Sequence, residues 1–219
     1  MEGFMDFDFL IKFSPMFIQA SWLTLKLAIY GVFFSFLVGL FCMGVSYFKF
    51  SFLNTICKIY IEFSRNTPLL IQLFFLYYAL PEFGIHLSSF ACAVIGLSFL
   101  GGSYMAESLR AGMEAVKKQQ YESGLSLGLS KWQNFRYIIM PQALGIAMPS
   151  ISANIIFLLK ETSVVSIIAL ADLVYVAKDL IGLYYKSNEA LFALVLCYLI
   201  LILPLSLVLN RIEKRLNYV

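Results

Sequence analysis

From the N-terminus onward, the chain alternates between long runs free of charged residues and short stretches where Lys, Arg, Asp and Glu gather. The charge-free runs cover 27–48, 83–106, 137–159 and 190–210. Each is close to the ~20 apolar residues an α-helix needs to cross the hydrocarbon core of a bilayer. A shorter run ending at Pro81 gains apolar length from residues 57–61, and predicts a further span over 61–80. The stretch 164–183 is interrupted by Asp172, Lys178 and Asp179. It reads as one or two short amphipathic helices, lying at an interface or packed against other spans, within an outer segment 164–187. The pattern predicts an all-α integral membrane protein with about five transmembrane helices, forming a single transmembrane domain over residues 1–219.

Composition agrees. Of 219 residues, 61% are hydrophobic and 13% charged, against about 45–50% and about 25% in soluble domains. The net charge of +3 is small and scattered along the chain, which excludes a nucleic-acid partner and leaves membrane lipid as the surrounding medium. Phe (21) and Tyr (13) far outnumber Trp (2), as suits rings lining lipid and its interfaces. Glu2, Asp6 and Asp8 precede the first lysine, Lys12; this is not the basic start of a signal peptide, so the first span is expected to be retained. Cys42, Cys57, Cys92 and Cys197 show no CxxC pairing and read as reduced packing residues. The single histidine, His86, reads as an outer-loop residue, and no metal site is expected.

Basic residues set the orientation. Lys49, Lys58, Arg65, Arg110, Lys117, Lys118, Lys131, Arg136, Arg211, Lys214 and Arg215 fall on one side of a five-span arrangement, against Lys12, Lys160, Lys178 and Lys186 on the other. The C-terminus and the loop around 110–136 are therefore placed in the cytoplasm and the N-terminus outside.

That cytoplasmic loop is the most informative stretch. Residues 119–129 read as a short helix with Tyr121, Leu125 and Leu129 stacked every four residues. Gly124 and Gly128 lie on a neighbouring stripe that permits close approach of another backbone. Pro141 falls near the start of the next span, where a missing N–H is tolerated. By physics alone, such a hairpin either packs beneath its own bundle or docks to a partner.

The loop resembles the EAA loop of permease subunits of binding-protein-dependent ABC importers, whose pattern is E-A-A-x3-G-x9-I-x-L-P. Glu122, Gly128, Ile138 and Pro141 fall at its fixed offsets, with Ser123 and Gly124 in place of the alanines and Met140 in place of the leucine. Three further runs are similar to the polar amino acid branch of that family. They are Arg65, Thr67, Pro68, Leu70 and Gln72; then Tyr104, Ala106, Glu107, Arg110 and Gly112; then Pro141, Gln142, Ala143, Pro149, Asn154, Lys160, Thr162 and Ser163. Ala111 stands where that branch has a glycine.

The resemblance implies a MetI-like permease bundle in a bacterial cytoplasmic (inner) membrane that imports amino acids. Its partners would be cytoplasmic ABC ATPase subunits, a second permease copy or paralogue, and an external amino-acid-binding protein. The chain has no phosphate-loop motif of its own. No cofactor is expected in this chain, and ATP and Mg would sit on the partner ATPase. The resemblance also implies that the 119–129 helix docks to that ATPase, with Glu122 as the charged contact, Gly124 and Gly128 as the close-approach surface, and Tyr121 and Leu125 as the apolar anchor. No catalytic residue is expected.

A solute path through the membrane needs polar groups, and the candidates are Arg65, Glu107, Asn154, Lys160 and Glu161. Glu107 and Arg110 are one turn apart and can simply pair. Asn154 suits either an interhelical bond or a solute contact. Lys160 and Glu161 suit a local ion pair at the headgroup level. Two rival classes are an ion-gradient-driven secondary transporter, which usually carries internal inverted repeats, and an intramembrane enzyme, for which His86 is badly placed.

Overall fold

Burial in the first helix recurs every three or four residues from its first turn: Phe9, Phe13, Phe17, Ala20, Thr24, Leu27, Gly31, Ser35 and Gly39 all face inward. That periodicity makes one unbroken helix, α1 (Phe7–Phe48), of 42 residues and about 63 Å at 1.5 Å per residue. In the computed structural model, which describes residues 6–216, it is the spine of the fold. The expected span began at residue 27 because Lys12 and Lys26 end the charge-free run. Both are accommodated by rings, Lys26 Nζ lying 5.4 Å from the Trp22 centroid and Lys12 Nζ 5.3 Å from that of Phe13.

The expected second span over 61–80 is not one helix. Pro68 (ψ 142°) forces extended backbone between α2 (Ser51–Arg65) and α3 (Leu69–Phe74). Side chains take up the carbonyls freed there: Thr67 Oγ1 donates to the Phe63 carbonyl at 2.9 Å, and Gln72 Nε2 to those of Ser64 and Thr67 at 3.2 Å each. α3 runs on through a π turn (Phe75–Ala79) and a 3-10 turn (Leu80–Phe83) that stops at the left-handed Gly84.

α4 (Ser89–Ala115), capped by the Ser88 hydroxyl, starts later than the expected 83 and runs nine residues past 106. Its extra turns carry Glu107, Arg110 and Glu114, which pair with one another along the helix. After α5 (Lys118–Ser126) and α6 (Lys131–Asn134), a second π turn (Phe135–Ile139) leads without a break into α7 (Met140–Glu161). Both π turns end one residue before a helical proline's neighbour, ahead of Pro81 and Pro141, with the amides of Leu80 and Met140 bonding five residues back, to Phe75 and Phe135. The wider turn accommodates a ring that would otherwise clash with the carbonyl four residues earlier. A 3-10 turn (Thr162–Ile168), α8 (Leu173–Tyr184) and α9 (Ser187–Leu216) complete the chain, so segment 164–187 is two short helical pieces, as its interrupted pattern predicts.

Among the described residues, four helical stretches are long and apolar enough to cross a membrane: Phe7–Phe48, Ser89–Ala115, Lys131–Ile168 and Ser187–Leu216. Leu69–Phe83 is a shorter apolar helix. The main core joins α1, α3, α4 and α7 through Leu27, Leu73, Leu97, Met105 and Leu158. A second core seats the N-terminal half of α1 on α8 and α9 through Phe9, Phe13, Phe17, Leu173, Val176 and Leu180. α2 is hydrogen-bonded to α4 where Tyr60 Oη (2.7 Å) and Ser64 Oγ (2.9 Å) both donate to the Phe99 carbonyl.

Asp172 is fully buried at the start of α8, where its carboxylate accepts from the amides of Val174 (3.2 Å) and Tyr175 (3.0 Å). Burial outweighs those bonds and pushes its pKa up to about 6. A carboxyl whose folded pKa is raised loses stabilisation as pH rises through that value. The detergent-solubilised protein is therefore expected to melt at lower temperature at pH 7.5 than at pH 5. Asp172→Asn, which keeps a capping oxygen, is expected to flatten this slope; an unchanged slope would contradict the assignment to Asp172.

Candidate functional site

Two places hold the residues singled out in the sequence. The first is the loop helix α5. It spans Lys118–Ser126, shorter than the expected 119–129, because Gly128 adopts a left-handed φ of 79° and turns the chain out. The Leu129 amide then bonds back to the Gly124 carbonyl at 3.2 Å. Within this chain a Cβ at Gly128 would meet open space, and the residue ends the helix. Gly124 makes a close contact inside the chain. A Cβ there would lie 2.4 Å from Asn134 Oδ1 and 2.8 Å from Ile138 Cδ1.

Asn134, a residue the sequence reading missed, holds the helix in place. It is fully buried and its Nδ2 donates to the Tyr121 carbonyl at 2.8 Å. Its signal, a capping box at Ser130 and Gln133, marks the helix start but says nothing of the side chain's partner across the turn. The Tyr121 ring turns inward, edge-on to Tyr47 at 6.4 Å. Tyr47 in turn packs on Phe135, and Phe48 stacks on Trp132. α5 is thus bolted to the end of α1 and to the π turn. Its outer side presents Glu122, Leu125 and Leu127, with Glu122 Oε1 3.1 Å from Lys118 Nζ. Pro141 is not part of this platform. It sits exposed inside the continuous helical column and lines an apolar groove beside α1.

Gly124→Val is expected to unseat α5, since overpacking costs about 1–3 kcal/mol and local opening is governed by such energies. Trypsin cleavage at Lys117 and Lys118 should rise about tenfold for each 1.4 kcal/mol lost. Unchanged cleavage would mean that the glycine contact is not needed.

The second place is a cavity of about 380 Å³ at the break between α2 and α3, lined by Arg65, Thr67, Pro68, Tyr104, Phe157 and Glu161 among others. The Arg65 guanidinium lies 5.4 Å from the Tyr104 ring centroid, and its Nη1 is 4.0 Å from Glu107 Oε2. Glu107 is also paired with Arg110, as its spacing predicts. Tyr104 meets Phe157 edge-on at 5.2 Å. Glu161 has no ion pair among the described residues, so the cavity has a cation at one wall and an unpaired carboxylate at another.

The structure places Arg65 and Glu161 on one cavity, while Glu107 lies outside its lining and meets it only through Arg65. It does not bring in Lys160, which is exposed, lines no part of the cavity and makes no ion pair with Glu161. Asn154 is engaged elsewhere, its Nδ2 donating to Ser108 Oγ at 2.8 Å. Ser108 Oγ in turn lies 2.7 Å from Ser150 Oγ, so Asn154 makes the interhelical bond between α4 and α7. Tyr104 and Phe157 form a paired wall of the cavity, and Ser108 and Ser150 join Asn154 in the bond between α4 and α7.

Long apolar helices around a small charged cavity, with a short helix seated at one end, are an architecture that suits a membrane transport component. The chain belongs to the family described as binding-protein-dependent transport system inner membrane component, whose pattern it matches over residues 13–218. It is 33% identical over 215 residues to the probable amino-acid ABC transporter permease PatM of Vibrio harveyi, covering 97% of this chain and 96% of that one. It is 31% identical to the glutamine transport system permease GlnP of Escherichia coli K12, covering 93% of this chain and 94% of that one. The solved structure of an amino acid ABC transporter with histidines matches with a TM-score of 0.88 at 34% identity over 96% of this chain and 99% of that one. The inward-facing MetNI methionine transporter matches at 0.80 with 17% identity over 94% and 98%, a likeness of fold.

Proposed function

We propose that the chain is the membrane-spanning permease subunit of an ATP-driven bacterial importer of polar amino acids. The observation that carries the substrate class is the cavity at the α2–α3 break. An amino acid presents a carboxylate and an ammonium, and Arg65 and the unpaired Glu161 offer the complementary pair around one small space. The names of relatives such as PatM and GlnP favour the same class.

In this reading α2 and α3 together supply the fifth crossing, the N-terminus lies outside, and the α5 end faces the cytoplasm of a cell whose inner membrane the chain spans. A second permease, a copy or a paralogue, completes the pathway, and an external binding protein delivers the solute. ATP and Mg reside on cytoplasmic ATPases that grip α5 by its outer side, through Glu122 and Leu125. Tyr121 and Gly124 act from the inner side, transmitting the movement to α1 and α7 through Tyr47 and Asn134. The bundle then switches between two packings biased by ATP on one side and loaded receptor on the other.

Uptake of radiolabelled glutamine or arginine into proteoliposomes holding the purified complex tests this reading. Uptake is expected with internal ATP and saturating binding protein, and absent with a proton or sodium gradient alone. Gradient-driven uptake without ATP would replace the reading with a secondary transporter.

A further inference from the structure

Arg65 is the last residue of α2, and Pro68 keeps the chain beyond it extended, so carbonyls at the end of α2 lose their helical partners. The Ser64 carbonyl belongs to the peptide group that leads into Arg65, and the Thr67 carbonyl to the one that enters Pro68. Gln72 Nε2 donates to both at 3.2 Å and lies 2.9 Å from Thr67 Oγ1. Thr67 Oγ1 gives its own proton to the Phe63 carbonyl at 2.9 Å, so toward Gln72 it accepts. Three acceptors thus converge on one amide nitrogen, while Gln72 Oε1 is buried without a hydrogen-bond partner among the described residues. The position calls for a donor with more than one N–H, which a glutamine supplies without charge.

α3 gives that amide a fixed seat. Leu69 and Leu73 are buried in the main core, so close to α4 that a Cβ at Gly96 would lie 2.9 Å from Leu73 Cδ2 and 3.3 Å from Leu69 Cδ1. From the same short helix Gln72 reaches back to the end of α2, on the far side of the break from the charged cavity. It lines a separate hollow of about 400 Å³ with Phe63, Ile71 and Phe75, and Thr67 lines both spaces. On the cavity side, the Arg65 head meets Tyr104 and Glu107, both on α4. α4 therefore fixes the guanidinium directly and the Arg65 backbone through α3 and Gln72.

We propose that Gln72 is a positioning residue, whose amide grips the Ser64 and Thr67 carbonyls and so holds Arg65 against the cavity wall. Gln72 lies outside the cavity lining and touches no solute there; it acts through Arg65. What that hold does for transport rests on the reading of the cavity as the solute site.

The test uses the purified complex in nanodiscs and two variants. Gln72→Met keeps the length of the side chain and loses the donors; Gln72→Glu keeps its shape and sets carboxylate oxygens against the two carbonyls. Phenylglyoxal, which modifies guanidinium groups, is mapped to each arginine by peptide mass spectrometry. Arg65 is expected to react about threefold faster or more in both variants, the scale of one lost hydrogen bond. Arg136 and Arg211 are expected to keep their wild-type rates. Binding of radiolabelled glutamine and arginine without binding protein is then measured by scintillation proximity. Gln72→Met is expected to weaken it about tenfold and to add nothing in an Arg65→Gln background, the signature of a residue acting through Arg65. Unchanged Arg65 reactivity in both variants, faster reaction at every arginine, or an equal loss of binding with and without Arg65 would each overturn the positioning role. If the wild-type complex binds neither solute while Arg65 reactivity responds as expected, the solute reading fails and the hold of Gln72 on Arg65 stands.

Discussion

Glu122→Arg is expected to leave the protein folded and inserted while ATP-dependent uptake falls about tenfold or more, a loss that needs only about 1.4 kcal/mol of coupling free energy. The physical basis is that Glu122 faces outward from α5 and its partner within the chain is Lys118, one turn back. Exposed pairs of this kind contribute little to stability, typically less than about 1 kcal/mol. The substitution therefore removes a charge offered to a partner without disturbing Tyr121, Gly124 or Asn134 on the inner side. ATP hydrolysis by the complex is expected to persist at its basal rate and to lose its response to loaded binding protein. Normal uptake at normal expression would remove Glu122 from the coupling surface.

Glu161→Gln carries the second large effect. The carboxylate sits at the end of α7 with no ion pair among the described residues, across the cavity from Arg65. If it receives the ammonium of the solute, neutralising it removes a charge-assisted hydrogen bond, worth about 1.5–3 kcal/mol and hence about tenfold or more in affinity. The expected signature is a raised KM for uptake with the complex intact. Lys160→Gln, a neighbour outside the cavity, is expected to change KM little, and serves as the control. Equal effects of the two variants would point to headgroup electrostatics and not to a solute site.

The contrast between those neighbours illustrates what the sequence could and could not say. Charge-free runs locate the apolar helices because a charged side chain within the hydrocarbon of a bilayer is costly. They misplace ends where charges are satisfied locally, as at Lys12 and Lys26 over rings and at Glu107, Arg110 and Glu114 along α4. The break at Pro68 was legible in its residues, since proline bars helix for its predecessor, but the apolar count outvoted it.

At the loop, four-residue spacing puts Gly124 and Gly128 on one stripe, but a period is blind to the packing of Gly124 against Asn134 and to the stop of the helix at Gly128. Asn134 was beyond the sequence, as its role depends on a carbonyl thirteen residues away, across the loop. So were Tyr104 and Phe157 as a paired wall of the cavity, on different helices. Asn154 was equally compatible with two roles until Ser108 and Ser150 were placed beside it.

The central claim is that α5 is gripped by an ATPase. A photo-crosslinking amino acid placed at Leu125, exposed on the outer side of α5, tests it in intact cells with one irradiation. The account predicts a crosslinked product containing this chain and a cytoplasmic protein bearing a Walker-type phosphate loop, lost when the crosslinker is moved to the inward-facing Tyr121. Crosslinks from Leu125 only into this chain's own bundle would contradict it, leaving α5 a packing element and the bundle without its motor.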